Sequence, residues 1–335
     1  MRKQDKDWRP FRHVYANCIS NIPINELIEA GLPYYPIFAY GMGFCYRPQE
    51  GMALGDSVTD WNDVDKGCWD TISRVYGIEC FFETKEEEKK VFLEKLRMLL
   101  ETTSVPCMID CYYDPSTEYA NVYHKCHQSG HCRIVTDMNS DVVYYYATHI
   151  NDPEERFSMS LDDFYLACEK FIFFKYPEKR KSKKERQKAL QEILFEWFVE
   201  KDYQKTFEEM SRFATDVRNS KHLGDEIEHQ FERNKVPNSK LFGRLFTLYQ
   251  SRGATIEFLQ GYMDEFKNSA YQTPIQHLKK SVELWNLARA LLVKYGMTPK
   301  NSLQETMADS LVEICKVEQE TIAMLREIIC KEMKI

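Results

Sequence analysis

The apolar positions of this chain change rhythm twice. Val64, Cys68, Ile72 and Val75 recur at helical spacing and stop at Gly77, a residue suited to the left-handed position past a helix end. Val91, Leu93, Leu96 and Leu100 repeat that pattern, with Thr84 and Glu87 at capping-box spacing ahead of them. Ile37-Phe38-Ala39-Tyr40 is a strand candidate, followed by Gly41-Met42-Gly43 and Phe44-Cys45-Tyr46, and Val105 to Tyr113 predicts a buried strand. His131 to Met138 and Val142 to Ile150 flank the turn pair Asn139-Ser140 and predict a β-hairpin. Ser160 and Asp163 predict the cap of a helix reaching about Phe174.

After Tyr176-Pro177-Glu178 the pattern is helical only. Leu190, Leu194, Trp197 and Phe198 share one face. Thr273-Pro274-Ile275-Gln276 predicts the start of a helix carrying Leu278, Val282, Trp285, Ala288 and Leu292 and ending near Gly296. Ser302 and Glu305 predict the cap of a last helix striped by Met307, Leu311, Ile314, Met324 and Ile328. The expected fold class is α+β, with a mixed domain over residues 12–176 and an all-α helical bundle over 177–335.

Composition narrows the function classes. The net charge of −7 argues against nucleic acid as the main partner, since phosphate binding needs a basic face. There is no apolar run long enough for a membrane span and no secretory h-region at the start, so no membrane association is expected. An odd count of 11 cysteines does not read as a disulfide framework, and a reducing cytoplasm is the expected location. Lys179 to Lys188 holds seven Lys or Arg in ten residues, which suits either a solvated helix start or a surface for an acidic protein.

Candidate chemistry concentrates in Tyr123 to Asp137. His124, Cys126, His127, His131 and Cys132 could supply zinc ligands, but Cys126 and Cys132 lack the paired Cys-x-x-Cys hook. No metal and no cofactor is expected. The alternative is a nucleophilic thiol with a histidine base and an orienting third group. In the predicted hairpin His131 lies beside His149 to Ile150, which brings Asn151 and Asp152 within reach of its ring. Residue parity favours Asn151, and a bend before Pro153 would bring Asp152 in instead. A base on one strand with its orienter on the antiparallel neighbour is a papain-like arrangement. Cys18 suits the nucleophile because it precedes the core elements, with Cys45 and Cys68 as rivals.

Asn17-Cys18-Ile19, the segment Phe38 to Phe44, and Pro106 to Tyr113 followed by Gly130-His131 resemble, in that order, the butirosin-biosynthesis protein H family. Trp285 in Leu284-Trp285-Asn286-Leu287-Ala288, and Glu318 in the last helix, are similar too. The resemblance covers residues 12–175 and, more loosely, 235–330. It implies a papain-like, cysteine-protease-type catalytic domain before the helical one. It implies an acyltransferase of secondary metabolism, carrying an acyl group from an acyl-carrier-protein thioester to a small-molecule amine. In that frame Cys18 is the acylated nucleophile, His131 its base and Asp152 the acidic third member. Gly41 and Gly43 form a loop admitting substrate backbone, and Asp110 binds the acceptor or supports the site. Water in place of the amine would make the same site a thioesterase or peptidase, and without chemistry the cleft would be a binding module. Pro23 is expected to displace the helix that such sites begin at the cysteine. His124, Cys126, His127 and Cys132 are left to local packing and hydrogen bonding.

Overall fold

The computed structural model describes residues 8–39, 42–59, 64–116, 122–149, 154–228 and 239–334. In chain order the first elements are α1 (Asn21–Glu29), β1 (Cys45–Tyr46), α2 (Leu54–Ser57), β2 (Val58–Thr59), α3 (Val64–Tyr76) and β3 (Glu79–Thr84). Next come α4 (Lys89–Leu100), β4 (Val105–Ile109), β5 (His131–Met138), β6 (Val142–Ala147), β7 (Phe157–Ser160), α5 (Leu161–Ala167) and β8 (Cys168–Lys175). The remainder is helical: α6 (Lys183–Phe195), α7 (Gln204–Asn219), α8 (Asp225–Glu228), α9 (Lys240–Phe266), α10 (Gln272–Met297) and α11 (Asn301–Met333). The fold is thus α+β, a sheet-bearing first part followed by a helical one.

Two compact units form, and the first comprises Met1–Ile37 with Cys68–Ser182. It is built on a six-stranded sheet in the order β3-β8-β4-β5-β6-β7, with every neighbouring pair antiparallel. One face packs Phe92, Leu96 and Leu100 of α4 and Phe164 of α5 onto Cys107, Ile109, Val135 and Phe171. The other packs Ile22 of α1 onto Cys132, Ile134 and Ile172, flanked by Trp69 and Phe174. Residues of β5 alternate between the two faces, as the two-residue period of a strand requires.

Strand β8 departs from expectation. The helix capped by Ser160, whose Oγ accepts from Asp163 N–H, stops at Ala167, and Cys168 to Lys175 is a strand between β3 and β4. The Phe171-Ile172-Phe173-Phe174 run puts apolar side chains on both sheet faces, which a one-faced helix would have exposed. Strand β3, which pairs with it, takes up the Thr84 expected to cap α4, so that helix starts at Lys89 without a side-chain cap. On α4 the buried face is Phe92, Leu96 and Leu100, while Val91 is exposed. The strand expected through Tyr113 ends at Ile109, because Asp110 accepts from Tyr112 N–H and opens a 3₁₀ turn.

The hairpin follows its predicted course for β5. Asn139 Oδ1 accepts from both Asp141 and Val142 N–H, which closes the turn. Met138 faces Val143 and Asp137 faces Tyr144, and past an irregularity near Thr136 Arg133 faces Ala147. Continuing that register sets His131 opposite His149.

The second unit comprises Phe38–Gly67 with Lys183–Ile335, so 30 residues expected in the first domain belong with the helices. Within it β1 and β2 pair antiparallel. Phe44 packs against Trp285 and Phe213 with ring centroids 6.3 and 5.8 Å apart. Ile37 and Phe38, expected in a strand, end a 3₁₀ turn instead, Tyr35–Phe38, in which Pro36 already has its helical φ. At the predicted caps the helix boundaries shift by a few residues: α10 begins at Gln272 ahead of Thr273, and α11 at Asn301. No helix among the described residues is long and apolar enough to cross a membrane.

Candidate active site

The site grows from a tight turn ahead of α1. Asn17 Oδ1 accepts from Ser20 N–H at 2.7 Å, and Ser20 Oγ accepts from Asn17 N–H at 3.0 Å. This reciprocal pair is a capping box, and Asn21 N–H donating to Asn17 O at 3.1 Å makes the turn continuous with the helix. Cys18 lies within that turn, three residues ahead of α1, and among the described residues its N–H donates to no acceptor. The regular helix does start later than Cys18, at Asn21, and Pro23 is accommodated as its third residue, where backbone N–H groups have little intrahelical bonding to lose.

Three hydrogen bonds through Thr148 lock this turn to the sheet, and a fourth ties Asn21 to His13. The single hydroxyl of Thr148, just past β6, is shared between Cys18 O at 3.0 Å and Cys132 O at 2.8 Å. Asn21 Nδ2 donates to Thr148 O at 2.9 Å, and Asn21 Oδ1 accepts from His13 N–H at 2.9 Å. Thr148 and Asn21 are fully buried, so these groups have no water to fall back on.

That lock brings Cys18 Sγ to 4.0 Å from His131 Nδ1. Cys132 lies on the α1 side of the sheet, packed in the same cluster as Cys18. Hydrogen bonding from Cys132 does most to lower the Cys18 thiol well below its ordinary value; burial opposes it, and His131 lowers it further. His131 is raised to about 10, first by Cys111 and then by Cys18, against the effect of burial. The two shifts favour the thiolate form of Cys18 and the imidazolium form of His131.

Arg133 holds the next stretch of β5. Its Nε and Nη2 bond Asp114 Oδ2 at 2.7 and 2.6 Å, its Nη1 donates to Cys132 O, and Tyr145 O–H donates to Asp114 Oδ1. The guanidinium and carboxylate are 1% and 0% exposed, so the network resists any shift of this strand segment.

The other expected residues divide as follows. Asp110 faces neither Cys18 nor His131 through any contact among the described residues: its Oδ1 accepts from Tyr112 and Gln128 N–H, and its Oδ2 pairs with His127 Nδ1 at 2.5 Å. Burial would raise its carboxyl, but these donors outweigh it and hold it low. The His127 ring stacks on Tyr112 at 4.4 Å and is largely exposed. Gly43 belongs to the second unit, where its carbonyl accepts from the buried Arg252 at 2.8 Å. Gly41, Asn151 and Asp152 lie outside the described residues. Of the rival thiols, Cys45 is buried in the second unit, and Cys68 is fully buried in α3.

All eleven cysteines are free thiols, and among the described residues no three His, Cys, Asp or Glu side chains are grouped to hold a metal ion. The sequence left Cys132 to packing, and passed over Thr148, Asn21 and Cys111. One signal was available: Asn17-x-x-Ser20 has capping spacing around Cys18. A scan against protein-family models finds no match to this chain, and a search of curated proteins finds none either.

Proposed function

We propose that the chain is a papain-like cysteine acyltransferase that passes an acyl group from a carrier-protein thioester to an amine. The observation that carries the reading is the approach of Cys18 Sγ, in the turn ahead of α1, to His131 Nδ1. The Cys18 thiolate attacks the thioester carbonyl carbon, and the carbonyl electrons move onto oxygen. The Cys18 N–H, which has no acceptor among the described residues, is the available donor to that oxyanion. Collapse breaks the bond to the carrier sulfur, which leaves with the proton from the His131 imidazolium. The acceptor amine then attacks the acyl-Cys18 thioester, neutral His131 takes its proton, and the amide departs as the Cys18 thiolate reforms.

The carrier donor and amine acceptor rest on the order of the family-like motifs, and Asp152 as orienter rests on the same basis. Asp110 is assigned to support, because its oxygens hold the loop before β5. The basic run is a poor docking surface: Lys181 bonds Arg74 O, and Lys183 and Arg186 bond Glu265.

The test is intact mass after incubation with acyl-carrier thioesters, wild type against Cys18→Ala, with and without an amine. An acyl adduct on wild type that is absent from Cys18→Ala and discharged by the amine is the expected result. An adduct that persists in Cys18→Ala removes Cys18 from the role. Discharge by water alone at the same rate makes the protein a thioesterase, and the lack of any adduct makes it a binding module.

A further inference from the structure

We propose that Cys132 is a resolving thiol for Cys18, so that peroxide converts the pair to a reversible Cys18–Cys132 disulfide. The inference rests on the reading of Cys18 as the reactive thiol and assigns that site a regulatory modification. Three observations support it. Cys18 and Cys132 pack in one cluster on the α1 side of the sheet. The Thr148 hydroxyl reaches both of their carbonyls, and the Cys132 side chain lies within hydrogen-bonding reach of the Cys18 sulfur. Cys132 is fully buried while Cys18 is partly accessible, so a small oxidant meets Cys18 first.

The steps balance without further reagents. The Cys18 thiolate attacks one peroxide oxygen; an S–O bond forms, the O–O bond breaks, and the hydroxide released takes a proton from His131. Cys132 is held protonated chiefly by its contact with the Cys18 thiolate, with burial adding to this. Conversion of Cys18 to neutral sulfenic acid removes the first of these causes. The Cys132 sulfur then attacks the Cys18 sulfur; the S–S bond forms, the S–O bond breaks, and hydroxide leaves with the Cys132 proton as water. One equivalent of a dithiol reductant, itself oxidised to a disulfide, restores both cysteines. Cys111 is the competitor, since it too contacts His131, but it reaches the imidazole rather than the Cys18 sulfur.

The experiment treats the reduced full-length chain with a small excess of hydrogen peroxide, alkylates remaining thiols, and maps peptides by mass. Wild type is expected to lose two hydrogens, to yield a Cys18–Cys132 linked peptide, and to regain Cys18 alkylation after dithiothreitol. Cys132→Ser, a near-isosteric change that keeps a donor beside Cys18, is expected to form no disulfide and to trap dimedone on Cys18 instead. Cys111→Ser is expected to behave as wild type. A Cys18–Cys111 link, or equal dimedone trapping in wild type and Cys132→Ser, overturns the proposal. Alkylation of Cys18 in reduced wild type is read in parallel. An unreactive Cys18 there defeats the nucleophile reading itself, whereas a reactive Cys18 with no disulfide defeats only the resolving role.

Discussion

A thiolate at Cys18 needs a physical cause near neutral pH, and its neighbours supply one. Cys132 donates to it from its side chain and its backbone, and the His131 ring lies 4.0 Å away and favours the thiolate. An unperturbed thiol titrates near about 8.5, so ordinary cysteines are alkylated slowly at pH 6. Cys18, with its value lowered, is expected to react with iodoacetamide at pH 6 well ahead of the others. In His131→Ala one lowering cause is gone, the thiolate fraction at pH 6 falls, and the rate should drop roughly tenfold per unit of upward shift. The rate measured across pH checks both statements. The sign reverses for the imidazolium. Because His131 is raised to about 10, proton delivery to the leaving thiol persists through neutrality and is lost as pH climbs through that value. Acyl transfer at saturating donor should therefore show an alkaline limb near there, read from its pH–rate profile. A second prediction concerns the buried ion pair. Asp114→Ala strands a guanidinium that is 1% exposed, and should cost about 3–5 kcal/mol in urea unfolding. The histidine-rich stretch was visible in the sequence as a place where chemistry collects. His131 was paired there with Cys18, through the hairpin and the order of the family-like motifs, whereas the contact of Cys132 with Cys18 was not visible.

Among the elements, strands surrounded by sheet were harder to read than the hairpin. His131 to Met138 is flanked by its own turn and its own partner, so alternation and a local Asx turn settle it. Cys168 to Lys175 pairs with β3 and β4, both distant in sequence, and is apolar towards both faces. Its pattern cannot be distinguished locally from a buried helix. Phe171 of β8 stacks on Phe92 of α4 with centroids 5.4 Å apart and planes 8° from parallel. Phe171→Ala should cost about 3–5 kcal/mol by the cavity it opens, measured by denaturant unfolding. The end of α3 was legible because it is a backbone requirement. Gly77 has φ +73° and its N–H donates to Ser73 O, closing the helix. An added Cβ there would meet Pro177 at 3.4 Å as well as the left-handed penalty, so Gly77→Ala should destabilise by about 1–2 kcal/mol in the same assay.

At the scale of the whole molecule, the chain crosses between its two units three times rather than once. In the second unit a buried network explains why Phe38–Gly67 belongs to the helices. Arg252 bonds both oxygens of Glu318 at 2.8 Å and donates to Gly43 O, while Ser281 and Trp285 donate to Glu318 Oε1. Tyr46 adds a bond from its hydroxyl to Asp216. Glu318→Ala should leave Arg252 buried and unpaired, and hydrogen exchange at Phe44 to Tyr46 should quicken. For the same reason a chain cut after residue 176 would expose Phe44 and Tyr46, and it should be less soluble than the full chain and be cleaved first within residues 38–67 in limited proteolysis. The sequence by itself determined the α+β class, the helical second half, the β5–β6 hairpin and the boundary near the basic run. Each of these is encoded by a local period, a turn residue or a cap. Tertiary structure alone decided the place of β8, the removal of residues 38–67 to the helical unit, and the meeting of Cys18 with Cys132. Those depend on side chains far apart in the chain burying one another, and no local pattern specifies which distant surface will do so.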